Sequence, residues 1–358
     1  MASPELIARL YRSHLPSFAR FAFRELHDGV ALRDHWSIDL MGDALANLVQ
    51  GSSRRLIVNV PPRALKSHCA SVALPVFALG RRPDQQIMVV AGSRELRTDL
   101  RARVLRLLRA PRCRSLLPHL DTQPRPHAIT TSAGGCITFA VVGDRLIGRG
   151  ADLIIIDDPI SPNDALDARK RKAVQAWFDA EVTARLNSRS AGAIALVMQR
   201  VHHDDLTAHL LAHGGWPRLV LPAIATRDEL WTLSSGRVVT RCAGEPLHPE
   251  QESKEQLRDL LVSMGAVHFA AQYQQAPLHN TSGWRNGTFY YPRPEGWTPG
   301  QSLPHWFIGR VRELAYMLHE LFDGPKPPSR DGPVIRPDEI LEAIRLHQER
   351  LIASLQGL

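Results

Sequence analysis

Residues 153–158 of this 358-residue chain read Leu-Ile-Ile-Ile-Asp-Asp, and Pro159 follows. Four consecutive aliphatic residues offer no polar face, so a strand built from them must be buried on both sides. The chain repeats the pattern: RLIVNV at 55–60, QIMVVAGS at 86–93, ITFAVV at 137–142, AIALVMQR at 193–200 and RLVLPAI at 218–224. Helical stretches separate these runs. Residues 66–80 are small and apolar, with Pro75 as an expected kink. Over 94–110, Leu96, Leu100, Val104 and Leu108 form one stripe at four-residue spacing. Residues 164–186 and 255–275 also read as helix. Doubly buried strands alternating with helices predict an α/β fold, a mostly parallel sheet with helices on both faces.

The rest of the chain divides around that pattern. Residues 1–50 read as a helical N-terminal segment. Residues 278–358 predict an atypical linker and two amphipathic helices at 305–322 and 337–355, separated by the turn-rich GPKPPSRDGPVIRP. No uncharged apolar run approaches the roughly 18 residues of a membrane span, and no membrane role is expected. The N-terminus lacks the apolar core of a secretory signal. Cys69, Cys113, Cys136 and Cys242 are too scattered for a disulfide framework or a metal knuckle, and read as free thiols. The net charge is +8, which permits a nucleic-acid partner. Residues 94–114 carry eight arginines against Glu95 and Asp99, a basic helix that would be either a solvated face or a DNA contact.

Three places could carry chemistry. PPRALKS, 61–67, lies between a strand and a helix, where backbone N–H groups can meet an anion. Lys66 is one of only five lysines in the chain, and Ser67 supplies a hydroxyl for a magnesium ion. The glycines usual in such a loop are missing, and Leu65 stands where one normally precedes the lysine. LIIIDDP, 153–159, delivers two acids at a strand end about 90 residues on: Asp157 would hold Mg²⁺ and Asp158 would polarise an attacking water. VMQR, 197–200, ends another apolar run, and Gln199 and Arg200 are placed to contact a γ-phosphate. The sequence His202-His203-Asp204-Asp205 has metal-ligand composition, but its immediate run into LTAHLL predicts a helix cap.

RLIVNVPPRALKS, GRGADLIIIDDPISPNDA, VMQRVHHDDLTAHLL, GEPLHPE and FAAQYQQAP occur in this order over roughly residues 35–277. In order and spacing they resemble the large terminase subunits of tailed phages and prophages. The resemblance implies a P-loop ATPase domain of the additional-strand type over 51–277. It implies ATP and Mg²⁺ as cofactors and threading of double-stranded DNA into a procapsid without regard to sequence. It further implies a ring of copies at a portal protein, a small terminase subunit as partner, and a host-cytoplasmic location. On this likeness residues Pro62, Arg63, Ala64, Leu65, Lys66 and Ser67 form a deviant Walker A loop, with Arg63 approaching the γ-phosphate. Ser67 and Asp157, the Walker B acid, hold the metal. Asp158 is the catalytic acid, where relatives commonly carry glutamate, and Met198, Gln199 and Arg200 form the coupling motif.

Large terminases usually continue into an RNase-H-like nuclease. Residues 278–358 contain no apolar strand ending in aspartate, so no metal-dependent nuclease activity is expected of them. Two readings stay open from the sequence: an ATP-hydrolysing packaging motor, or a non-enzymatic prophage remnant that at most binds nucleotide or a capsid or terminase partner. A two-motor helicase does not fit the remaining length.

Overall fold

The 153–157 run becomes a strand at the middle of an eight-stranded sheet, and every one of its residues is buried. The computed structural model describes residues 4–277 together with the short strands Gly283–Arg285 and Thr288–Tyr290. The expected helices at 305–322 and 337–355 lie outside the described residues. Numbered along the chain, the sheet strands are β1 (Arg55–Asn59), β2 (Gln86–Ala91), β3 (Thr122–Pro124), β4 (Ala128–Thr131), β5 (Cys136–Val141), β6 (Leu153–Asp157), β7 (Ala193–Met198) and β8 (Arg218–Val220). Their spatial order is β3-β4-β5-β2-β6-β7-β1-β8. Pairings from β5 to β8 are parallel, and the pairings of β3 with β4 and of β4 with β5 are antiparallel. β7 therefore stands between β1, which leads into the Lys66 loop, and β6, which ends in the acids. That interposed strand is the additional-strand arrangement that the terminase resemblance implies.

The period-2 geometry of strands sorts the apolar residues into two cores. Leu56, Val58, Ile87, Val89, Leu153 and Ile155 face one side. There they meet α1 (Pro4–Ser13), α2 (Leu15–Leu26), α3 (Trp36–Gln50), α4 (Leu74–Arg81) and α5 (Arg94–Arg109). Ile57, Met88, Val90, Ile154 and Ile156 face the other side. They pack against α7 (Ala168–Trp177) and α8 (Leu206–Ala212), through Val174, Trp177, Leu206 and Leu210. α6 (Pro111–Leu116) follows α5 on the first side. The N-terminal helices thus share one core with the sheet.

Several elements differ from the sequence expectation for identifiable reasons. The 66–80 helix is a π-helical stretch, His68–Ala73, running into α4, with Pro75 in the first turn of α4. The wider turn lets the Leu74 N–H reach the Cys69 carbonyl and carries the chain past a residue with no N–H to give. The 164–186 stretch breaks into a 3₁₀ turn, α7, a π-helical turn at Phe178–Val182 and a second 3₁₀ turn. β3 and β4 carry no sequence signal, because TQP and AITT are too short and polar for a buried-run pattern. A hairpin of β9 (Glu229–Thr232) and β10 (Val238–Arg241) lies outside the sheet. α9 (Lys254–Met264) and α10 (Ala266–Gln272) then build a small third cluster around Phe269 and Tyr273. All four cysteines are free thiols.

Buried His68 is one of the groups that make the fold acid-sensitive. His68 joins the π-helical stretch to α2: its Nε2–H donates to the Ala19 carbonyl at 2.8 Å, and its ring meets Phe23 edge-on. Burial pushes its pKa down to about 4, so the ring is neutral in the folded chain. An unfolded histidine binds its proton near pH 6.5, so the His68 contribution to stability is complete above that pH and falls as pH drops toward 4. The loss over that window is about 3 kcal/mol. Urea unfolding of wild type and His68→Gln at pH 7 and pH 4.5 should show the smaller acid loss in the variant. Equal losses would sink this assignment.

Candidate active site at the carboxyl edge of the sheet

β1 ends at Asn59, and Pro61-Pro62 stop it, because proline has no N–H for a ladder. The chain then turns through Arg63 and Leu65, both with left-handed backbone (φ 62° and 60°). That conformation costs a non-glycine residue about 1–2 kcal/mol. The loop therefore keeps the backbone path that glycines normally supply, and holds it with side chains. Ala64 is buried, Leu65 packs against the first core, and the Leu65 carbonyl accepts from the Cys69 N–H at 2.9 Å. The helix that begins at Lys66 leaves its first-turn N–H groups without intrahelical partners, facing the edge where the acids lie.

Two pairs close the site across the end of β7. The Ser67 hydroxyl donates to Asp157 Oδ1 at 3.0 Å, joining residues 90 positions apart in the sequence. Lys66 Nζ lies 3.0 Å from Asp158 Oδ2. Asp157 is fully buried as the last residue of β6, level with Ala91 of β2 and Val197 of β7. Burial first, and the neighbouring Asp158 second, raise its pKa; Lys66, Ser71 and Ser67 pull the other way. Its Oδ2 has no hydrogen-bond partner among the described residues. A buried carboxylate oxygen beside a serine hydroxyl suits a small oxygen-seeking cation such as Mg²⁺, which keeps several waters or phosphate oxygens of its own. The described residues hold no group of three or more His, Cys, Asp or Glu that could cage a metal unaided.

Asp158 has left-handed backbone (φ 41°), which turns its carboxylate toward Lys66. Gly92, after β2, makes that turn possible: a Cβ there would stand 2.0 Å from the Asp158 carbonyl oxygen. The Asp158 Oδ1 accepts from the Gln199 backbone N–H at 3.3 Å, which brings the end of β7 into the site. Arg200 is placed differently from the sequence expectation. Its Nε donates to both Asp205 oxygens at 3.0 and 2.8 Å, and its Nη2 donates to the His202 carbonyl. The pair is buried, so this guanidinium is committed to the protein and does not reach toward phosphate. Asp205 also caps α8 by accepting from the Ala208 N–H, which is the cap expected for the His-His-Asp-Asp segment.

Arg63 is exposed at the mouth of the site, close enough to half-buried Glu252 to oppose the rise that burial gives its pKa. Arg63, Ala64 and Leu65 form one wall of a cavity of about 130 Å³, opposite His35, Ser37 and His248. The two histidine rings meet edge-on at 4.4 Å, and each hydrogen-bonds the Ser37 hydroxyl. Burial, with positive neighbours, lowers His35 to about 3 and His248 to about 4, so the wall is polar and uncharged at neutral pH. A larger cavity of about 520 Å³ opens on the other side of Asp158, between Ser93, Lys170, Trp177 and Gln199. Sequence reasoning missed Gly92, the histidine wall and the Gln272–Gln199 contact (3.4 Å). Only Gly92, within the VVAGS run, carried a local signal.

No protein-family model matches the chain, and no curated protein matches it. Among solved structures, the large terminase ATPase domain of Thermus phage P74-26 is similar over 64% of this chain and 91% of its own, with 14% identity and a TM-score of 0.42. The large terminase of bacteriophage HK97 is similar over 74% of this chain and 55% of its own, with 12% identity and a TM-score of 0.43. The large terminase of another thermophilic bacteriophage, solved with ATP-gamma-S, is similar over 50% of this chain and 44% of its own, with 12% identity and a TM-score of 0.33.

Proposed function

We propose that this chain binds ATP with Mg²⁺ and hydrolyses it, as the motor domain of a phage or prophage large terminase that drives double-stranded DNA into procapsids. The observation that carries the reading is the convergence of Lys66 on Asp158 and of Ser67 on Asp157 at one sheet edge. In this reading residues 62–67 cradle the phosphates with backbone N–H groups, and Lys66 neutralises the β- and γ-phosphates. Ser67 and Asp157 hold the magnesium ion, which when bound stabilises charge on the transferring phosphoryl oxygens. Asp158 accepts the hydrogen bond that orients the attacking water, and Gln199 positions Asp158. Arg63, outside the buried ion pairs, reaches the γ-phosphate. Arg200 acts through Asp205, as part of the frame.

Lys66 and Asp158 neutralise each other across 3.0 Å. Phosphate oxygens compete for the ammonium group, and this frees the carboxylate for water. The pair thus keeps both residues aligned before the substrate arrives. DNA-stimulated ATP turnover by the purified chain tests the reading. Turnover that rises with added duplex DNA is expected; no turnover with or without DNA would overturn it.

The DNA, the ring of copies, the portal, the small terminase subunit and the host cytoplasm belong to the same proposal. For the DNA, the arginine-rich face of α5 is the proposed contact. Arg94, Arg106 and Arg109 are exposed on it. Each phosphate contact releases counterions, so affinity should fall steeply with salt. Replacing these three arginines with glutamine should flatten the slope of log affinity against log salt by up to about 3. An unchanged slope would make this face merely solvated.

A further inference from the structure

Residues 272–275 form a turn rich in glutamine that the catalytic reading leaves without a role. Gln275 is buried and has left-handed backbone (φ 55°), a conformation that costs energy in any residue but glycine. Both ends of its amide are used. Its Oε1 accepts from the Arg200 backbone N–H at 2.9 Å, and its Nε2 donates to the Gln272 carbonyl at 2.5 Å. Its own carbonyl accepts from Arg218 at 3.4 Å. Arg218 donates in turn to the Asn59 Oδ1 at 2.7 Å, at the end of β1. Asn59 is fully buried and donates to the Met198 carbonyl at 3.0 Å. The turn thus ties together the ends of β7 and β1, the strands that carry Gln199 and the Lys66 loop. Gln272 adds a second tie, accepting from the Gln199 side chain.

We propose that Gln275 is a positioning residue for hydrolysis: by fixing the end of β7 against the end of β1, it holds the Gln199 N–H on Asp158. The inference rests on the ATPase reading above. A backbone held in a strained conformation persists where surrounding contacts over-determine it, and here those contacts reach both halves of the site. Gln274, its neighbour, does something else. Its amide pairs with both backbone groups of Ile224 and anchors the turn to the third cluster. The hydrogen bonds of Gln275 run to Arg200, Gln272, Tyr273 and Arg218, so its loss should leave binding at 62–67 in place and spoil the alignment of Asp158.

Gln275→Gly tests this, because glycine accepts the left-handed backbone while removing the amide. The variant should melt within a few degrees of wild type and bind a fluorescent ATP analogue within about twofold of it. Its ATP turnover should fall at least about tenfold. Gln275→Glu gives a second readout. A protonated carboxyl can both accept from the Arg200 N–H and donate to the Gln272 carbonyl; a carboxylate can only accept. Turnover of Gln275→Glu should therefore recover toward wild type as pH is lowered, measured relative to wild type at each pH. Unchanged turnover in the glycine variant would overturn the proposal. So would parallel losses of melting temperature, affinity and turnover, which mark a purely structural residue. Absence of turnover in the wild type would instead overturn the ATPase reading, and this inference with it.

Discussion

Lys66→Ala is expected to slow ATP turnover by about 100-fold or more and to weaken nucleotide binding. The Lys66 side chain is only 8% exposed and its Nζ lies 3.0 Å from a carboxylate, so its position is set in advance. A charge-assisted contact to phosphate from such a preorganised donor is among the strongest a protein makes. Removing one donor aimed at developing charge commonly costs two to three orders of magnitude, about 3–4 kcal/mol. The substitution also strips Asp157 and Asp158 of the cation that offsets their repulsion, so the pKa of Asp157 should rise further. Phosphate release and binding of a fluorescent ATP analogue, with a melting curve to check folding, decide the matter. If the variant folds, binds and turns over as wild type does, Lys66 is a buried ion-pair partner and nothing more.

The two acids should separate. Asp158→Asn is expected to keep Mg-ATP binding and to lose turnover by about 100-fold or more, because an amide oxygen is a poor acceptor for the proton of an attacking water. Its affinity should equal or slightly exceed that of wild type, since Lys66 no longer has to leave an ion pair to meet phosphate. Asp157→Asn should act on the cation: the magnesium concentration needed for half-maximal binding should rise about 10- to 100-fold. The orphaned, fully buried Oδ2 of Asp157 is the reason. A magnesium titration of nucleotide binding in both variants distinguishes the roles. Identical binding losses in the two would dissolve the assignment.

The parts of this architecture that the sequence displays are those with a bulk signature. β1, β2, β6 and β7 are apolar runs buried on both sides, and β5 is an apolar run buried at alternate positions. Lys66 and Ser67, Asp157 and Asp158, and Gln199 lie at or just beyond the carboxyl ends of β1, β6 and β7. β3 and β4 carry no such signature, because an edge pair needs few apolar residues. The glycine-free loop shows why a composition rule can mislead: Arg63 and Leu65 adopt the glycine conformation because Ala64 and Leu65 are packed in place. Arg200 shows the opposite failure. Its position at a strand end suggested chemistry, but Asp205, five residues on, captured it in a buried pair that local sequence could not weigh. Gln275 and His248 are legible only in three dimensions, since their partners lie 75 and 211 residues away.

The strand order has a mechanical consequence. Because β7 is wedged between β1 and β6, the loop and the acids never share a hydrogen-bonded ladder. They touch only through side chains that arch over the tip of the wedge. Both contacts bridge the two strands that flank β7, so the spacing of Lys66 from Asp158 and of Ser67 from Asp157 rests on the same central strand.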